Sequence, residues 1–235
     1  MNIKCMSVTK HYGKLTALRD FSFTFQSGGT YGILGINGAG KSTLIGCLTG
    51  NLKYEGEIVI DGAGRHGIGY VPQSLALYPE LSVMENLLFF ARIHRIPKKS
   101  AVERATSLMA RTGLTEKADT AVRDLSGGMQ RKLNLITALV HNPEVLICDE
   151  VCIGIDPPSR KEILTYLKQL ADEGMTILYT SHYLDEVAFL CDDIVFLHEG
   201  RIVKQGPTRT LTASVEKGEG DLADVFEQVL REEEA

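Results

Sequence analysis

The sequence predicts an α/β protein: a mostly parallel sheet, an N-terminal antiparallel β-subdomain and an inserted α-helical subdomain. Three observations carry that expectation. The apolar strand candidate Tyr31–Leu34 runs into a glycine-rich stretch, Gly35-Ile36-Asn37-Gly38-Ala39-Gly40-Lys41-Ser42-Thr43, and on into the amphipathic run Ser42–Thr49. Val145–Cys148 is a continuous apolar run, as in a strand covered on both faces of a parallel sheet. Between these two, residues 74–143 read as helices, so the order is β-rich, helical, then alternating α/β.

Each element has a local reason. Ile3–Tyr12 and Phe21–Phe25 are β-rich, and Ser27-Gly28-Gly29 is a turn before Tyr31–Leu34. Glu57–Ile60 and Ile68–Val71 are short strands around the Asp61-Gly62 and Gly64 turn signals. Ser82 and Glu85 form a capping box opening a helix through about His94. Pro97 interrupts it, and Ser100–Thr112 is a second helix stopped by Gly113. A third runs from Gly127 to His141, ending at Asn142-Pro143. Next come a helix over Pro158–Asp172 with Gly174 as its stop, the strand Met175–Thr180, and a short helix at Leu184–Leu190. Ile194–Leu197 and Ile202–Gln205 form a hairpin, and Asp221–Glu234 is an acidic helix. The expected division is an α/β lobe from residues 1–73 and 144–215, the helical insert 74–143, and an acidic tail 216–235.

Composition narrows the classes. With 44% hydrophobic and 23% charged residues the chain has the balance of an ordinary globular protein. A net charge of −5 argues against nucleic acid as the main partner. No apolar run reaches the roughly 18 residues needed to cross a bilayer, and Met1–Cys5 lacks the apolar core of a secretory signal. Cys5, Cys47, Cys148, Cys152 and Cys191 form no C-x-x-C pair and read as buried free thiols.

Chemistry enters with the glycine-rich stretch, which fits G-x-x-x-x-G-K-[ST] between a strand and a helix. Its three glycines let the backbone turn successive N–H groups around phosphate oxygens. Lys41 supplies a positive charge for the β- and γ-phosphates, and the Ser42 hydroxyl suits Mg²⁺. The expected ligand is a nucleoside triphosphate, and the expected fold a RecA-like phosphate-loop NTPase. Asp149, closing a buried strand, stands where it would flank Mg²⁺; Glu150 follows, where it would polarise an attacking water. Leu125-Ser126-Gly127-Gly128-Met129-Gln130 opens the third insert helix, with Ser126 as N-cap and bare N–H groups suited to an anion.

With L-S-G-G-x-Q between a phosphate loop and an acidic strand end, the chain resembles the ATP-binding subunit of an ABC transporter, from about Ile3 to Gly206. The phrasing of residues 81–93 is most similar to exporters of the ABC-2 drug-resistance type. The resemblance implies ATP and Mg²⁺ as cofactors, with Asn37–Thr43 holding the phosphates and Ser42, Gln73 and Asp149 serving the metal. It implies that Gln73 reaches the attacking water, Glu150 positions that water and His182 contacts the γ-phosphate. Tyr12 matches the aromatic that stacks on adenine; a strand-end core tyrosine is the other reading. Ser126, Gly127, Gly128 and Gln130 would cap ATP held by a second copy docked head-to-tail, and Asp156 would touch that copy.

The resemblance also implies a separate transmembrane permease, and hence a cytoplasmic chain peripheral to the inner face of the membrane. In residues 78–97, Met84, Leu87, Leu88 and Ala91 have core spacing, leaving Tyr78, Phe89 and Phe90 either for the core or for a partner's groove. Two departures stand out: Val151-Cys152-Ile153 replaces the family's Pro-Thr-Ser-like turn, and residues 52–69 look shortened. Two other classes remain open: a soluble ABC-type ATPase working on nucleic acid or ribosomes, and an ATP-dependent dimerisation switch with little hydrolysis.

Overall fold

In the computed structural model, residues 1–213 and 221–234 are described. The N-terminal part comprises strands β1 (Ile3–Tyr12), β2 (Leu15–Phe25) and β3 (Thr30–Leu34), helix α1 (Lys41–Leu48), and strands β4 (Glu55–Ile60) and β5 (Ile68–Val71). Helices α2 (Val83–Ile93), α3 (Lys98–Thr112) and α4 (Gly127–Thr137) come next. The remainder is β6 (Val145–Asp149), α5 (Pro157–Asp172), β7 (Thr176–Thr180), α6 (Leu184–Leu190), β8 (Asp193–His198), β9 (Arg201–Pro207), α7 (Thr208–Ala213) and α8 (Leu222–Glu234).

Two sheets form. β2, β1 and β4 make an antiparallel sheet in that order, and six strands make the larger one in the order β5-β6-β7-β3-β8-β9. Every pairing in the larger sheet is parallel except β8 with β9. β3, β6 and β7 are buried at every position, as strands covered on both faces must be.

Side-chain alternation sorts the core. Ile33, Val145, Ile147, Leu178 and Val195 face α1 (Leu44, Ile45, Leu48) and the antiparallel sheet (Ile3, Val8, Phe21, Phe25). Leu34, Leu146, Cys148, Ile177, Tyr179, Ile194 and Phe196 face the other way, onto residues of α4, α5, α6 and α8. Because the strands are parallel, their carboxyl ends share one edge, which is where ligands of such sheets bind. There β3 delivers the glycine-rich loop, β5 leads to Gln73, β6 ends at Asp149, and β7 leads to His182.

Local signals carry the helices. Ser82 and Glu85 make a reciprocal capping box, and α3 ends on Gly113 in the left-handed region. α4 stops at Thr137, short of the expected His141. Leu139 N–H bonds Ile136 O, and Asn142, at φ 58°, donates to Leu139 O. The chain tightens into turns that bury Val140 against Ala91 and Ala101 and set His141 Nε2 3.1 Å from Ile68 O. β2 begins earlier than expected, because Leu15–Leu18 continue the pairing with β1. α7 went unread in the sequence; its first residue, Thr208, anchors it by donating to Cys191 O at 2.7 Å. The expected boundary between residues 215 and 216 lies outside the described residues.

Candidate nucleotide site

A cleft of about 500 Å³ opens at the carboxyl edge of the sheet. Its lining gathers Tyr12, Asn37, Gly38, Ala39, Gly40, Lys41, Ser42, Thr43, Gln73, Glu150 and His182 from five separate segments. The loop that floors it depends on glycine. At Gly40 the backbone takes φ 107°, and a Cβ there would lie 2.6 Å from Ala17 O. Gly38, at φ 85°, faces open space. α1 has no side-chain N-cap and no acidic residue in its first turn, so its leading N–H groups face the cleft without a carboxylate to occupy them.

Lys41 is 6% exposed, and its ammonium donates to Gly35 O at 2.6 Å and Ile36 O at 3.1 Å. Burial lowers its pKa, opposed by the negative charges of Glu150 and Asp149. Asp149 is buried, and its Oδ1 accepts from Thr180 Oγ1 at 2.7 Å. Burial, then the adjoining Asp149 carboxylate, pushes the Tyr70 hydroxyl up to about 12, which keeps it protonated. Ser42, Gln73 and Asp149 offer a hydroxyl, an amide and a carboxylate, an all-oxygen set of the kind Mg²⁺ prefers.

Glu150 stands at φ 52°, unusual for a residue with a side chain. Its N–H holds that conformation by donating to both Thr180 O and Thr180 Oγ1, each at 3.1 Å. The carboxylate is thereby turned into the cleft, with Oε1 2.8 Å from His182 Nε2. Val151 and Cys152, the departure noted in the sequence, are buried in the turn that follows. Their apolar character anchors that turn to the core and leaves both acids in place.

The L-S-G-G-x-Q residues lie elsewhere: none of Ser126, Gly127, Gly128 or Gln130 lines the cleft. Ser126 caps α4 by accepting from Met129 N–H, and both Ser126 and Gly127 are exposed. A Cβ on Gly128 would fall 2.1 Å from Ser159 Oγ, whereas one on Gly127 would meet nothing within 4 Å. Gln130 Nε2 donates to Val122 O and Leu125 O, a role inside its own loop. Asp156 caps α5 by accepting from Ser159 N–H at 3.0 Å, which lowers its pKa.

Sequence reasoning missed the residues that hold Gln73 in place. Arg131, on α4, donates to Gln73 O at 2.5 Å and Ile153 O at 3.3 Å, joining two edges of the cleft to the insert. Asn134, 1% exposed, accepts from Ala76 N–H and donates to Pro72 O. Polar side chains on an otherwise core-facing stretch of α4 were the available signal.

A phosphate loop at the carboxyl edge of a parallel sheet, faced by a strand-end acid pair, defines the class: a phosphate-loop nucleotide-binding domain. Comparisons narrow it. The family described as "ABC transporter" matches residues 18–152. The linearmycin resistance ATP-binding protein LnrL of Bacillus subtilis is 41% identical over 87% of this chain and 68% of its own length. The Nod factor export ATP-binding protein I of Neorhizobium galegae is 38% identical over 92% of this chain and 65% of its own length. A dimeric ATP-binding cassette, solved in a post-hydrolysis state with ADP and Pi, superposes with TM-score 0.78 at 26% identity, over 87% of this chain and 98% of its own. The chain belongs to the ABC transporter family, as an ATP-binding, ATP-hydrolysing subunit.

Proposed function

We propose that this chain powers export through a separate transmembrane permease, by binding ATP between two copies and hydrolysing it. One observation carries the reading. The cleft assembles Lys41, Ser42, Gln73, Glu150 and His182, while the signature residues Ser126 and Gly127 lie exposed outside it. A second copy related by two-fold symmetry would bring those residues over the phosphates. Gly127, with open space where a Cβ would go, leaves room for that approach. The dimeric relative holding ADP and Pi supports such a pairing.

Within the site, Asn37–Thr43 would wrap the phosphates with backbone N–H groups, and Lys41 would carry their charge. Tyr12, half exposed with Lys10 Nζ 5.0 Å from its ring centroid, would stack on the adenine. Ser42, Gln73 and Asp149 would hold Mg²⁺, which supplies charge neutralisation across the β- and γ-phosphates. Glu150 would orient the attacking water as general base, with His182 bridging it to the γ-phosphate. Hydrolysis removes the bridging charge and lets the copies part. The acid pair and His182 are intact, which favours a hydrolysing motor over a dimerisation switch.

Export is supported by the names of the two relatives. The lobe 1–73 with 144–215 would bind nucleotide, and the insert 74–143 would meet the permease. Tyr78, Phe89 and Phe90 cluster on that insert with ring centroids 4.5–6.4 Å apart, and Tyr78 and Ile93 are 45% and 59% exposed. Such an apolar patch suits a short helix from a membrane subunit. Among the described residues no helix is long and apolar enough to cross a membrane. Lys41→Ala tests the reading: turnover and nucleotide binding should both be lost, and an unchanged ATPase rate would sink it.

A further inference from the structure

Glu186 is the least expected acid in the molecule. It lies on α6, 1% exposed, where a carboxylate is costly unless it is partnered. Its partners are specific. Oε2 accepts from Tyr179 Oη at 2.7 Å and from Ser181 Oγ at 2.5 Å. Oε1 lies 2.5 Å from Arg160 Nε, a charge contact whose angle falls outside hydrogen-bond geometry. Arg160 is held in turn by Asp185 at 2.7 Å and by the Tyr183 ring, 4.4 Å from the guanidinium carbon.

The partners belong to the two turns that carry the proposed chemistry. Ser181 precedes His182, and its Oγ accepts from Tyr183 N–H at 3.0 Å, so one hydroxyl spans the residue that meets Glu150. Tyr179 Oη, which donates to Glu186, also lies 3.6 Å from Cys152 Sγ in the turn that begins at Glu150. Burial pushes the Cys152 thiol up to about 12, so it stays neutral beside that hydroxyl. Arg160 sits on α5, the helix that follows this turn. One carboxylate therefore ties the His182 turn, the Glu150 turn and α5 together, and none of its contacts reaches the cleft directly.

We propose that Glu186 is a positioning residue: through Ser181 and Tyr179 it fixes His182 at hydrogen-bond distance from Glu150. The proposal rests on the reading that Glu150 and His182 act on ATP. A purely structural ion pair would affect folding alone, whereas a positioning role must act through the pair it aligns. Three conservative substitutions probe the hub. Glu186→Gln keeps the shape but offers one acceptor oxygen to donors on both sides. Tyr179→Phe and Ser181→Ala each delete one donor and keep the volume of a buried site.

The experiment measures steady-state ATP hydrolysis, KM for ATP and melting temperature for each variant, alone and combined with His182→Ala. In the folded variants kcat should fall about tenfold, the scale of one hydrogen bond to a charged group, with KM for ATP little changed. On the His182→Ala background the same substitutions should cost no further turnover, because the residue they position is gone. Wild-type kcat in folded Tyr179→Phe and Ser181→Ala would overturn the proposal, as would an undiminished loss on the His182→Ala background. If His182→Ala and Glu150→Gln themselves leave turnover intact, the underlying reading fails and takes the proposal with it. If those two lose activity and the hub variants do not, only the proposal fails.

Discussion

Replacing Glu150 by Gln removes one charge and little else. The backbone stays at φ 52°, because the two bonds to Thr180 involve the main-chain N–H. The side chain keeps its length and a polar tip 2.8 Å from His182 Nε2. Only the ability to draw a proton from water is lost, and general-base effects of this kind run to about 10²–10⁴ in rate. At about 1.36 kcal/mol per tenfold, that range is about 2.7–5.4 kcal/mol of barrier. The Glu150 side chain is 11% exposed, so bulk water screens it weakly and the upper half of the range is expected. Affinity for ATP should hold or tighten, since a negative charge leaves the neighbourhood of Lys41 and the phosphates. The assay is phosphate release at saturating MgATP, paired with binding of a fluorescent ATP analogue. Turnover within about threefold of wild type would refute the assignment, because that is less than one ordinary hydrogen bond.

The glycines of the signature helix should separate packing from function. Gly128→Ala places a Cβ 2.1 Å from Ser159 Oγ and should lower stability by about 1–3 kcal/mol in chemical denaturation. Gly127→Ala meets open space in the single chain, so it should leave the melting temperature intact while lowering ATP turnover in the paired state. Stability should also fall in mild acid. His141, stacked 3.8 Å from the His94 ring, is pushed down from 6.5 to about 4, chiefly by burial and then by His94. Between those values the unfolded chain binds the proton and the folded one does not. The stabilisation is therefore complete above about pH 6.5 and is lost progressively as pH falls toward 4. Melting temperature should drop from pH 7 to pH 5, and His141→Gln should flatten the drop; an unchanged slope would rule this histidine out.

Much of this architecture was legible along the chain, for identifiable reasons. The capping box at Ser82 and Glu85, the stop at Gly113 and the apolar runs feeding Gly35 and Asp149 are local signals, and each recurs in the structure. The cleft gathers its residues because parallel strands put their carboxyl ends on one edge, which a strand–loop–helix order already implies. What stayed hidden depends on packing between distant segments. Arg131 reaches Gln73 across 58 positions, and Asn134 reaches Pro72 across 62, so no window on the sequence could pair them. Glu186 stands in the first turn of a short helix, a common place for an acid. Its burial is set by Arg160, 26 positions away, and by the Tyr179 and Ser181 hydroxyls before it. Gln130 Nε2 donates to Val122 O and Leu125 O, bonds that a motif read along the chain does not disclose.

The central claim is that the cleft is half of a site and that a second copy supplies the rest. Sedimentation of the Glu150→Gln chain in saturating MgATP tests it most directly. The account predicts a species of twice the chain mass in MgATP and of single mass in MgADP, with the dimer abolished by adding Lys41→Ala. A single-mass species in saturating MgATP, with ATP bound, would contradict it.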